Sequence, residues 1–278
     1  MSSFPAARLE PLPSLADLGS DVVRKQCCAS VYEHPAVRWL LGDELHPGGE
    51  ATTRRALELA GVRPGDRLLD VASGRGTSAL LAARELGCRV VGLEYGEPAV
   101  QEATAAARTA GLQDRVCFRR GDAEALPFEA ASFDAVLCEC SLCTFPDKAR
   151  AARELRRVLR PGGRLALSDV VVEDRRLTAE LRGPLAVIAC VGAALPRSGY
   201  ERLLADAGLS VLAVESRNDD AALLARRVHD RLRGARLLGV DRMAGAPLAT
   251  ADAIALVARA REAIRSGALG YAIFIAGD

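Results

Sequence analysis

Leu68-Leu69-Asp70-Val71-Ala72-Ser73-Gly74-Arg75-Gly76 is the stretch that decides the fold. A short apolar run ending in a glycine turn and followed by the helical spacing of Thr77–Leu86 predicts a buried strand that bends sharply into a helix. Gly74 and Gly76 let the backbone approach a ligand closely, and the free amides that open the helix favour polar groups there. An ordinary strand-to-helix turn accounts for the same residues. Gly74-x-Gly76-x-x-Ala79 also satisfies the nicotinamide-dinucleotide fingerprint, so the turn alone does not choose a cofactor.

Outward from this turn, Arg67–Ala72, Arg89–Glu94, Val116–Arg119, Phe133–Cys138 and Arg164–Val171 read as strands. Thr77–Leu86, Pro98–Ala110 and Asp147–Leu159 between them read as amphipathic helices. Strands alternating with helices imply parallel pairing, because a parallel connection needs a crossover. Gly162-Gly163, after Arg160-Pro161, is expected to end the long helix and bend the chain into the next strand. Beyond Pro196 come a helix at Gly199–Ala207, a strand at Ser210–Glu215, two helical stretches and a closing strand at Gly270–Ala276. The predicted fold class is α/β, a doubly wound, mostly parallel seven-stranded sheet with N-terminal helices and a helical insertion before the last strand.

Residues 1–20 lack periodicity, whereas Asp21–Leu41 and Ala51–Ala60 show helical spacing. This divides the chain into an arm with lid helices (1–50), a catalytic core (51–217) and a helical insertion with the closing strand (218–278). The 37 basic and 36 acidic residues leave a net charge of +1, so no global field attracts nucleic acid or an anionic membrane. Small-molecule partners are expected, and the oligomeric state is left open. The opening stretch holds Pro5, Arg8, Glu10, Pro11, Pro13 and Asp17 in place of the apolar centre of a signal peptide. The apolar run Gly183–Leu195 is shorter than the roughly 20 residues that a membrane span requires and reads as a buried helix. The expected location is cytoplasmic, with the eight cysteines reduced.

Three carboxylates favour S-adenosylmethionine over a dinucleotide. Asp70, still inside its strand, can face the cationic amino-acid end of a sulfonium cofactor. Glu94 ends the next strand, where a carboxylate can accept both ribose hydroxyls. Asp122, in Gly121-Asp122-Ala123-Glu124, can accept the adenine amino hydrogen while Ala123 donates its N–H, and an acid there has little use in binding pyrophosphate. Ala72, Ser73, Tyr95 and Cys138 complete the candidate cofactor residues with Gly74 and Gly76. Through LLDVASGRG (68–76), Glu94, GDAEALPF (121–128), SFDAVLCEC (132–140) and LRPGGRLALSDV (159–170), residues 50–215 resemble the class I S-adenosylmethionine-dependent methyltransferases, which implies their Rossmann-like fold and cofactor.

Cys138, Cys140 and Cys143 lie where the fourth strand leaves the sheet, the place where ligands bind in open α/β folds. Cys190 falls in the apolar run after the fifth strand. Soft thiolates prefer thiophilic centres such as trivalent arsenic or antimony, or zinc, although buried cysteines also serve as small core residues. Cys140-Ser-Leu-Cys-Thr-Phe-Pro-Asp-Lys and Ala189-Cys190-Val-Gly-Ala-Ala-Leu resemble the arsenite methyltransferases. The resemblance implies Cys140 and Cys190 as the metalloid-binding, catalytic pair, with Cys27 or Cys28 as a candidate third thiol. The candidate metal-ligating set is therefore Cys27, Cys28, Cys140, Cys143 and Cys190. The chain departs from that family in its N-terminal segment and in having no cysteine-rich tail.

His34, His46 and His229 stand in no recognisable catalytic setting and are expected at the surface or in helix packing, while Cys88 and Cys117 are expected to be structural. Methylation of a thiol-bound arsenic lone pair needs no general base. The alternatives are methylation of a small organic O, N or C acceptor, and a non-catalytic metalloid- or zinc-binding protein on the same fold.

Overall fold

Leu68, Leu69 and Val71 are fully buried, so the first strand, β1 (Arg67–Val71), is covered on both faces, as a central parallel strand must be. The computed structural model describes residues 21, 25, 26, 30, 32–42, 45–173, 177, 178, 181, 190–240 and 249–278. The elements before β1 are α1 (Pro35–Leu41) and α2 (Gly49–Leu59). After β1 the chain alternates through α3 (Thr77–Glu85), β2 (Arg89–Glu94), α4 (Glu97–Thr109), β3 (Val116–Arg120), β4 (Phe133–Glu139), α5 (Lys148–Val158) and β5 (Leu159–Val172). It ends with α6 (Arg197–Asp206), β6 (Ser210–Ser216), α7 (Asn218–Leu237), α8 (Thr250–Arg265) and β7 (Leu269–Gly277).

The seven strands form one sheet in the order β3-β2-β1-β4-β5-β7-β6. β1 to β5 pair in parallel, and β7 runs antiparallel between β5 and β6. The strand order reverses between β1 and β4, which opens a crevice beyond their carboxyl ends. Leu69 and Val71 pack into one apolar cluster with Leu155 and Phe274, and Leu68 packs into a second with Leu57 and Leu81. Burial of each such leucine contributes about 1.5–3 kcal/mol.

Four expectations need correction. The helix expected over Asp21–Leu41 breaks at His34, whose backbone is extended and whose Nδ1 accepts the Ala36 N–H at 3.2 Å as an N-cap; Pro35 then opens α1. The long helix stops at Val158, before Arg160-Pro161-Gly162-Gly163. Those four residues lie inside β5, absorbed by a register shift against Phe133/Ala135, with Gly162 at φ 75°. The apolar run 183–195 lies largely outside the described residues, and residues 190–195 within it are not helical. Cys117, expected to be structural, is exposed, because β3 is an edge strand and this residue faces outward.

The insertion α7–α8 packs on itself and against β7. It also braces the elements that precede β1. Arg231 on α7 donates to the carbonyls of Trp39 and Leu40 at 2.9 and 2.8 Å, and Thr52 on α2 donates to Asp220 at 3.1 Å. No helix among the described residues is long and apolar enough to cross a membrane.

Candidate active site

At the carboxyl end of β1 the chain turns through Ala72 (φ 58°), Gly74 (φ 52°) and Gly76 (φ 81°) into α3. A Cβ on Gly76 would stand 2.3 Å from Phe118 Cζ, so glycine is needed there for close packing as well as for its left-handed backbone. The turn floors a cavity of ≈ 590 Å³ that extends over the ends of β1, β2 and β4. Asp70, Ala72, Ser73, Gly74, Glu94, Tyr95, Asp122 and Ala123, all expected at a cofactor, line it. Gly76 does not, since its part is played beneath the turn against Phe118. Cys138 does not either: side chains alternate along β4, so Glu139 faces the cavity while Cys138 is fully buried in the core, its thiol 3.2 Å from Ser141 Oγ and pushed up to about 12 by burial.

One oxygen of Glu94 accepts the Gly74 N–H at 3.0 Å, and the other accepts those of Tyr95 and Gly96 at 2.7 and 2.9 Å. This ties the β1 and β2 turns together and leaves lone pairs toward the cavity. Asp122 accepts the Glu124 N–H at 2.9 Å and pairs with Lys25 at 2.8 Å, and Lys25 also reaches Glu124 at 2.5 Å. Burial would lower the Lys25 pKa, but the two acids hold it above its ordinary value. Lys25 thus places a cation from the N-terminal segment at this end of the cavity.

At the opposite end Asp70 is 2% exposed, and its Oδ2 has no hydrogen-bond partner. Burial, then the nearby Glu139 and Glu94, push this carboxyl well above the usual range. Ser73 Oγ is likewise buried without a partner. A polar, cationic ligand would satisfy both, which is the fit expected of a sulfonium amino acid.

Residues 69–167 match the family described as Methyltransferase domain. The chain is 38% identical over 190 residues to 27-O-demethylrifamycin SV methyltransferase of Amycolatopsis mediterranei (strain S699), which covers 63% of this chain and 70% of that protein. It belongs to the class I S-adenosylmethionine-dependent methyltransferases. S-Adenosylmethionine is accordingly the cofactor of this methyltransferase, and the dinucleotide alternative falls. Methyltransferase GfsG of Streptomyces halstedii is 36% identical over 173 residues, 61% of this chain and 62% of that one. Nocamycin O-methyltransferase of Saccharothrix syringae is 40% identical over 147 residues, 52% of each. Two of these names specify an organic acceptor, and none specifies arsenic.

The crystal structure of the [4+2]-cyclase SpnF superposes with a TM-score of 0.73 at 27% identity, over 91% of this methyltransferase and 95% of that chain. Geranyl diphosphate methyltransferase in complex with S-adenosylmethionine, at 22% identity and a TM-score of 0.67 over 95% and 93%, shows the shared fold.

Of the expected cysteine set, Cys140 lines the cavity, while Cys143 and Cys190 lie directly behind it in one apolar cluster with Tyr271 and Tyr32. Cys27 and Cys28 are outside the described residues. As a thiol, Cys190 donates to the Cys140 carbonyl at 3.5 Å, and the Tyr32 hydroxyl lies 2.9 Å from its sulfur. As a thiolate it accepts from Cys140, Cys143 and Tyr32, which hold its pKa well below the usual thiol range, while Cys140 and Cys143 are pushed up. Beneath them Asp169 accepts the N–H of Cys143 at 2.8 Å, and burial pushes it up to about 7. Among the described residues no group of three or more His, Cys, Asp or Glu is set out to hold a metal ion. The three described members of the expected metal set, Cys140, Cys143 and Cys190, meet in one buried cluster.

Three polar side chains of the cavity were not among the expected site residues. Glu139, His46 and Lys25 all line the cavity. His46, expected at the surface or in helix packing, sits with its Nε2 3.5 Å from Glu139. A strand-end acid directly before Cys140 was the one signal available for Glu139. Nothing local marks His46, whose place depends on how α2 docks.

Proposed function

We propose that this methyltransferase transfers a methyl group to a trivalent thiophilic centre, with arsenic(III) the representative acceptor, held by Cys140 and Cys190. The observation that supports this most is the meeting of Cys140, which lines the cavity, with Cys143 and Cys190 behind it in one cluster, with Cys190 favoured as thiolate. S-Adenosylmethionine supplies an electrophilic methyl group when bound. Asp70, Glu94 and Asp122 would hold its charged end, sugar and base.

The Cys190 thiolate is the stronger nucleophile of the group and engages the acceptor first. The Cys190 thiolate forms the first As–S bond and displaces hydroxide, and each further thiol that joins gives up its proton as its As–S bond forms and releases one hydroxide as water. Cys140, on the cavity side, turns the bound acceptor toward the cofactor, and Cys143 is placed to add a third As–S bond. The acceptor's lone pair needs no deprotonation, so positioning is the main task of these residues.

A second reading, methyl transfer to a small organic acceptor, has its own support. The His46–Glu139 pair at the cavity wall is the acid–base equipment that an oxygen acceptor requires, and two of the relatives above are named for organic acceptors. The two readings separate in one experiment: incubation of the reduced protein with S-adenosylmethionine and arsenite, followed by arsenic speciation, for wild type, Cys140→Ser and Cys190→Ser. Methylated arsenic from wild type and its loss in both variants is the expected result. Turnover of a phenol or alcohol acceptor that ignores both substitutions, with arsenite left unmethylated, would refute the metalloid reading.

A further inference from the structure

Cys190 does not open onto the cavity: it is 2% exposed and lies behind Cys140 and Tyr32, both of which line the wall. The Tyr32 hydroxyl stands 2.9 Å from its sulfur, and the ring packs against the apolar cluster that holds Cys143, Cys190 and Tyr271. Tyr32 is therefore a side chain placed between the cavity and the buried thiols. A second tyrosine shows what a packing role looks like here. Tyr271 on β7 is 1% exposed, and its hydroxyl meets Ser168 Oγ at 2.9 Å within the sheet. Tyr32 is half-buried, comes from the segment that precedes the sheet, and turns its hydroxyl to sulfur.

The backbone at Cys140 and at Cys190 is left-handed, with φ 48° and 63°, a region that residues bearing a Cβ rarely adopt. Cysteines serving as core filler would not need it, so the strain belongs to the placement of these two thiols. The segment that carries Tyr32 has a further anchor seven positions earlier. There Lys25 reaches Asp122 and Glu124 on the far side of the cavity. Both anchors are side-chain contacts outside the strand ladder, so the segment can release them while the sheet stays paired.

We propose that Tyr32 is the gate of the thiol pocket: its ring closes the way to Cys190, its hydroxyl occupies the sulfur that an acceptor must reach, and Lys25 latches the segment shut. A ligand enters when it offers the sulfur a stronger bond than a phenol hydroxyl does. That selects thiophilic acceptors and turns away water and ordinary hydroxyl compounds. The inference rests on the metalloid reading for the identity of the acceptor alone. Access to Cys190 is measured without arsenic, so the gate and that reading fail separately.

The test is alkylation of the reduced full chain with iodoacetamide, the rate at each cysteine read by peptide mass spectrometry, for wild type, Tyr32→Ala and Lys25→Ala. A pocket that stands open about 0.1–10% of the time is labelled about 10- to 1000-fold more slowly than an open one, so Tyr32→Ala is expected to speed Cys190 by about tenfold or more. Lys25→Ala should reproduce the gain in smaller measure. Cys88 and Cys138, fully buried in the core, report any loosening of the fold, and their rates should not change. An unchanged rate at Cys190 in Tyr32→Ala would mean that no gate stands there. Equal acceleration at Cys190, Cys88 and Cys138 would mean that Tyr32 merely supports the fold; either result overturns the proposal.

Discussion

Asp70→Asn should make this protein more stable and worse at holding its cofactor. The carboxylate is buried, its Oδ2 is unpartnered, and Glu139 and Glu94 face it with the same charge from β4 and β2. Relieving one unsatisfied buried polar atom is worth about 1–3 kcal/mol. The asparagine carbonyl can keep the hydrogen bond from the Ala79 N–H, and its amide can donate toward the two acids. The expected gain in unfolding free energy is therefore about 1–3 kcal/mol where wild-type Asp70 is ionised.

The gain depends on pH. Asp70 keeps its proton to higher pH in the folded chain than in the unfolded one, so the folded state binds more protons across that interval. The stability this group contributes is full below the ordinary aspartate pKa and is lost as pH rises through the raised folded value. Urea unfolding at a pH above the raised folded value and at one near the ordinary aspartate pKa should therefore show the variant's advantage at the first and a smaller one at the second. Cofactor affinity should fall by roughly 10- to 150-fold, the equivalent of about 1.5–3 kcal/mol for a hydrogen bond to a charged group. Calorimetry of the wild type in buffers of different ionisation enthalpy should show proton release on binding, absent from the variant. A variant that binds S-adenosylmethionine as tightly as wild type, or that loses stability equally at both pH values, would refute the reasoning.

Gly76→Ala combines a left-handed backbone, about 1–2 kcal/mol, with overlap on the Phe118 ring, about 1–3 kcal/mol. Its cost measured by urea unfolding should fall when Phe118→Ala is already present, and purely additive costs would contradict the clash. Glu94→Gln keeps the size of the side chain but weakens its hold on the Gly74, Tyr95 and Gly96 amides and removes the charge proposed to receive the ribose hydroxyls. S-Adenosylmethionine affinity measured by calorimetry should drop about tenfold or more, and an unchanged value would remove Glu94 from the sugar site.

The parts of the site that the sequence exposes are those built from local signals. The glycine turn, the strand-end carboxylate Glu94 and Gly121-Asp122-Ala123 each sit directly after a recognisable apolar strand, and all three places line the cavity. Cys138 was misjudged because a one-residue step along β4 reverses the face: the neighbouring Glu139 enters the cavity and Cys138 the core. The start of β5 was misplaced because Pro161-Gly162-Gly163 usually ends an element, whereas the sheet accommodates it as an irregularity between paired strands. Neither error could be repaired from propensity, since strand register and ladder pairing are set by neighbours distant in sequence.

What the amino-acid order determined alone was the alternation of strands and helices, the polar turn after β1, and the strand-end acids that line the cavity. Hydrophobic periodicity and backbone permissiveness are properties of adjacent residues, so they survive in one dimension. Only the tertiary structure decided that Cys140, Cys143 and Cys190 share a cluster with Tyr32, that Lys25 reaches Asp122, and that Glu139 stands beside Asp70 under the hydroxyls of Thr53 and Ser78. Those meetings depend on strand order, on α2 docking over the sheet and on the bracing by α7. Electrostatic coupling requires proximity in space, and no local pattern records which distant charges the fold will bring together.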